Sequence, residues 1–113
     1  MSRRFEVRLW VAQRATAVVL AACVVVHLAV IIYAVRGGLT AAEILGRTRG
    51  SVAWGVFYAV FVLAAATHGA IGLRTVAAEW LGFRGRAAEW TMAAIGLVLL
   101  ALGLRAVFAV VAA

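Results

Sequence analysis

The chain of 113 residues contains no proline, no lysine and no aspartate, and it has one cysteine and four glutamates. Without proline breaks, and with so few acidic groups, its helices offer little for the coupling-ion site of a transporter. The single cysteine, Cys23, excludes an internal disulfide and a cysteine metal cluster, and its place in an apolar run reads as that of a small core residue. Charge of either sign is scarce: 13% of residues are charged and 67% hydrophobic, against about 25% and roughly 45–50% in ordinary globular chains. A chain of this length makes one domain, 1–113, and at a mean hydropathy of +1.10 it has too little polar surface to cover a water-facing exterior. The lipid bilayer is its solvent.

A helix needs about 20 apolar residues to cross a hydrocarbon core of about 30 Å. Three stretches meet this: about 11–35, uncharged after Arg14; about 52–73, with no formal charge; and about 90–111, broken only by Arg105. The runs lack the polar alternation and regular turns of a membrane barrel, so the expected fold is all-α with three transmembrane helices. Trp10, Trp54, Trp80 and Trp90 fall at or just beyond the expected ends, where an indole keeps its N–H in the wet interface. Gly37-Gly38 stops the first helix. Residues 39–45 predict a short interfacial helix with Thr40 as N-cap and Glu43 three positions later. The connection from Thr75 to Glu89 holds a basic turn, Gly82-Phe83-Arg84-Gly85-Arg86, suited to anionic lipid or a protein partner.

All 11 basic residues are arginines and the net charge is +7. In a soluble protein this would suggest nucleic acid. Here the charge sorts by loop: Arg3, Arg4, Arg8, Arg14, Arg74, Arg84 and Arg86 share one side, and Arg36, Arg47 and Arg49 take the other, with Arg105 if it snorkels outward. The bias reads as topology, with the N-terminus in the cytoplasm and no nucleic-acid partner. The first apolar run, about 25 residues, is too long for the usual h-region of about 7–15, so a cleaved signal peptide is not expected despite the Arg3-Arg4 pair.

Polar groups inside the apolar stretches are costly unless they face a partner, cofactor or cavity. His27 and His68 each lie about 16 residues into their spans. Each imidazole suits a metal, or a simple hydrogen bond to a neighbouring helix. Beside His68, Gly72 lies one turn away on the same face, leaving room for a flat macrocycle or for close helix packing, and Ala64 and Ala65 are also small. Arg74, near the inner surface, suits a carboxylate such as a haem propionate. On the first helix Gln13, Thr16 and His27 share a stripe with Arg14 beside its lower end. Arg14 and Thr16 suit a quinone carbonyl, or else lipid phosphate and the local backbone.

Taken together, Gln13-Arg14-Ala15-Thr16-Ala17 and His68-Gly69-Ala70-Ile71-Gly72-Leu73-Arg74 resemble the membrane-anchor, cytochrome b subunits of succinate dehydrogenase and fumarate reductase. The likeness spans about residues 10–80. It implies a three-helix anchor that binds haem b and quinone and docks flavoprotein and iron–sulfur subunits on the cytoplasmic face. Electrons would pass between succinate or fumarate and the quinone pool of a bacterial or archaeal inner membrane. By this resemblance His68 is an axial haem ligand and Arg14 and Thr16 contribute to the quinone site; from their places beside His68, Gly72 would pack on that haem and Arg74 would meet a propionate. No residue takes a catalytic role. The chain departs from the family pattern at Gln13, where a histidine often stands, and at Glu79 and Trp80, near a frequent aspartate.

Depth separates the histidines. Along antiparallel spans His27 lies about 24 Å from the inner face and His68 about 6 Å, whereas two axial nitrogens flank one iron within about 4 Å. Each histidine therefore calls for its own haem, with the second ligand supplied by a similar subunit or by a copy of this chain. The alternative from another class is a small helical interaction or assembly protein without cofactor, its histidines bonding across helices.

Overall fold

The computed structural model describes residues 2–112. It is all-helical among those residues: α1 (Arg3–Gly37), α2 (Ala41–Thr48), α3 (Val52–Leu81) and α4 (Arg86–Val111). The three long helices are each apolar and long enough to cross a membrane. They form a bundle 49 × 24 × 23 Å. α3 is the central member, packed against α1 on one side and α4 on the other, while α1 and α4 scarcely meet. That arrangement leaves a cleft between the outer two.

The buried residues are small: Ala64, Ala66 and Ala77 on α3, Ala88 with Met92 on α4, and Cys23 on α1. Apolar burial does not drive helices together in lipid, so close backbone approach and dispersion must hold them, and alanine and glycine permit both. At Gly96 an added Cβ would stand 3.1 Å from Ala70 Cβ, which marks a close α3–α4 approach. The large residues Val18, Val25, Leu97 and Phe108 face outward, as expected where the solvent is hydrocarbon.

The helices outrun the hydrophobic stretches at one end. α1 starts at Arg3 rather than Val11, α3 continues to Leu81 rather than Leu73, and α4 starts at Arg86 rather than Trp90. Ser2 caps α1 by accepting from Phe5 N–H at 3.2 Å. α3 closes with Gly82 in the left-handed region, φ 67°, and Phe83 N–H returning to Ala77 O at 3.1 Å. The expected long connection after Thr75 thus shrinks to residues 82–85. Trp80 and Trp90 project from this extended collar.

At the opposite end α2 forms as expected, with Thr40 Oγ1 accepting from Glu43 N–H at 3.2 Å. The Glu43 carboxylate folds over Gly38, whose φ of 127° and occupied Cβ direction leave room for glycine alone. α2 also ties the end of α4. Thr48 Oγ1 donates to Val110 O at 2.6 Å, and Gly50 N–H donates to Val111 O at 2.7 Å, satisfying carbonyls that a helix C-terminus leaves unpaired.

Candidate functional site

A 3.5-residue rhythm of half-buried positions on α1 (Leu9, Gln13, Thr16, Leu20, Cys23, His27, Val30, Ala34) faces α3. The polar members of this stripe meet specific partners. Thr16 Oγ1 lies 3.2 Å from His68 Nδ1 across the α1–α3 seam. Gln13 covers Gly72, since a Cβ built on that glycine would stand 3.4 Å from Gln13 Nε2. Gln13 Oε1 is buried without a hydrogen-bond partner.

The α1-facing side of Gly72 is thus covered by the Gln13 amide of the same chain. Thr16 Oγ1 also lies 2.8 Å from Ala12 O on the α1 backbone. Arg14 is exposed, with its guanidinium over the Trp10 ring at 5.2 Å.

Arg74 joins three helices. Its Nη2 donates to Glu6 Oε1 at 2.7 Å on α1 and its Nε to Glu89 Oε1 at 2.7 Å on α4, while the guanidinium lies 5.8 Å from the Phe5 ring centroid. The Arg74 side chain is 18% exposed, so this ion-pair set is partly withdrawn from water. The position expected for a propionate partner is thus also an internal clasp. Part of its N–H fork remains uncommitted.

His27 sits in a different setting. Its ring meets Tyr58 edge-on at 5.9 Å and Phe61 at 5.4 Å, and its Nδ1 is buried without a hydrogen-bond partner. It borders a cleft of about 1120 Å³ between α1, α3 and α4, lined by Tyr58, Phe61, Val62, Ala65, Gly103 and Ala106 and roofed by Ile44, Arg47 and Thr48 of α2. This volume reaches the top of the range for cofactor sites, about 300–1,000 Å³. Arg47, at the α2 side, donates to Gly38 O at 2.8 Å and lies 5.5 Å from the Tyr33 ring centroid. Small residues on α4 create the cleft, a feature spread too thinly along the sequence to be read there.

Heights follow from the contacts. Thr16 is level with His68, and His27 lies eleven residues further along α1, so the two imidazoles differ in level by about 16 Å. They cannot share one iron. Among the described residues no cluster of three histidine, cysteine, aspartate or glutamate side chains could hold a metal.

No curated protein and no solved structure matches the chain. Its sequence does match, over residues 1–111, the family described as succinate dehydrogenase/fumarate reductase transmembrane subunit. With three helices fit to cross a membrane and histidines at two levels within them, the chain belongs to the family of succinate dehydrogenase/fumarate reductase transmembrane subunits.

Proposed function

We propose that the chain is the haem- and quinone-binding anchor of a succinate dehydrogenase or fumarate reductase complex in a bacterial or archaeal cell membrane, with its N-terminus in the cytoplasm. The observation that carries this reading is a pair of intramembrane imidazoles about 16 Å apart in level, each with a nitrogen that makes no hydrogen bond to the described residues. Such groups are costly in lipid unless occupied.

Both sites suit haem b. His68 offers its ring at the Arg74 end, and the free N–H groups of Arg74 suit a propionate. His27 lies at the edge of an aromatic cleft large enough for a macrocycle. Since the chain has two histidines and they lie at different levels, the opposing imidazole at each level comes from a second, similar subunit or from a copy of this chain. A haem held between two imidazoles supplies reversible one-electron storage rather than oxygen chemistry. The protein's part is to fix the ligand rings, exclude water with apolar helix faces, and hold the haem's carboxylates near arginine.

For the quinone, Arg14 supplies a free guanidinium at the headgroup level and Gln13 an unpaired buried carboxamide oxygen one residue away. The arginine-rich collar formed by the extended ends of α1, α3 and α4 suits docking of flavoprotein and iron–sulfur subunits. The chain contributes no covalent chemistry of its own.

The test is a reduced-minus-oxidised spectrum of the detergent-purified protein with its co-purifying subunits identified by mass spectrometry. The expected result is a b-type haem spectrum with a flavoprotein and an iron–sulfur protein. A colourless protein without those subunits would overturn the reading in favour of a cofactor-free helical interaction protein, for which the Thr16–His68 contact would be a simple interhelical bond.

A further inference from the structure

We propose that Thr16 is a positioning residue for His68: its hydroxyl oxygen accepts the His68 Nδ1–H, fixes that tautomer, and leaves Nε2 bare for a metal. The proposal rests on the reading of His68 as a haem ligand only where the haem is measured.

Thr16 Oγ1 has three neighbours at hydrogen-bond distance: Ala12 O at 2.8 Å, Gln13 O at 3.2 Å and His68 Nδ1 at 3.2 Å. A hydroxyl carries a single proton, and both carbonyls can only accept. The proton therefore goes to the α1 backbone, where Ala12 O is nearest. His68 Nδ1 then faces an oxygen lone pair. A bare Nδ1 at that distance would set two lone pairs against each other, so the contact is attractive only when Nδ1 carries the hydrogen. A neutral imidazole has one N–H, which leaves Nε2 as the basic nitrogen.

Geometry makes Thr16 a fixed acceptor. Its β-branched side chain has few rotamers in a helix, and the bond to the carbonyl four residues back selects one of them. The oxygen is thus held in place before His68 meets it. Metal-ligating histidines usually have their second nitrogen held in this way by an outer partner, which fixes the ring and raises the basicity of the ligating nitrogen. Here the partner comes from a different helix, so the α1–α3 packing sets the orientation of the ring.

Two measurements on the full-length chain test this. The first needs no haem: two-bond ¹⁵N–¹H correlation spectra of the haem-free protein in nanodiscs, at a pH where the rings are neutral, with a His27→Phe variant to assign His68. The expected result is Nδ1–H for His68 in the parent and in Thr16→Ser, and a shift toward Nε2–H in Thr16→Val. A parent protein with Nε2–H overturns the proposal. The second uses the purified complex. Thr16→Val raises the midpoint potential of the haem that His68→Ala removes, and weakens its retention by about tenfold or more, whereas Thr16→Ser stays with the parent. An unchanged potential and retention in Thr16→Val overturn the positioning role. If the complex holds no haem, the ligand reading fails while the tautomer result still decides the proposal.

Discussion

The two ends of the bundle each carry a histidine inside an apolar helix, and they treat it in opposite ways. At the collar end the histidine and the arginine are matched within the chain, His68 with Thr16 and Arg74 with Glu6 and Glu89, while Gln13 Oε1 is buried without a partner. At the α2 end His27 Nδ1 is buried without a partner beside a cleft of about 1120 Å³. An unpaired buried polar group costs about 1–3 kcal/mol. The His68 ring is therefore held by a partner from its own chain, whereas the His27 ring carries that cost beside an open cleft.

Breaking the clasp should have the largest effect. Arg74→Ala leaves Glu6 and Glu89 facing each other without their cation, and should cost about 2–3 kcal/mol, toward the low end for a buried pair because Glu6 is half exposed. Thermal unfolding in detergent checks this, and Arg74→Lys should recover part of the loss. A variant as stable as the parent would mean that the collar is not pinned.

Next in size is Gly103→Leu. Gly103 lines the cleft against Val62, and even a Cβ there would overlap the Val62 side chain. Overpacking should cost about 1–3 kcal/mol. The sharper expectation is selective: the haem assigned to His27 is lost while the one assigned to His68 stays. Loss of both, read by haem spectra, would erase the contrast between the ends.

Gly38→Ala probes the α2 roof. With φ at 127° and Glu43 filling the Cβ direction, alanine should cost about 1–2 kcal/mol and loosen α2, read by hydrogen exchange of Glu43 and Ile44 amides. Arg105→Gln should matter least. Arg105 is exposed near the C-terminal end of α4 and makes no ion pair to the described residues, so the change should stay within about 0.5 kcal/mol.

Much of the fold is legible in the sequence because hydropathy reports directly where lipid must be. The three spans, the stop at Gly37-Gly38, the Thr40 cap and the core place of Cys23 all follow from local pattern. The collar does not follow: hydropathy marks the membrane and not the helix, so Arg3–Trp10 and Arg74–Leu81 continue α1 and α3 through polar sequence. The site is legible only in part. Periodicity puts Gln13, Thr16 and His27 on one stripe, but what each one faces depends on α3, 52 residues away for the Thr16–His68 contact. Small residues mark positions of close approach without saying what fills them: Gln13 covers one side of Gly72, whereas Ala65, Gly103 and Ala106 line a cleft at His27.

The most direct test of the two-level account is the haem content of the purified complex in the parent, His27→Ala and His68→Ala. The account predicts two spectrally distinct haems in the parent, each variant losing a different one. A single haem that survives His27→Ala and vanishes in His68→Ala would contradict it.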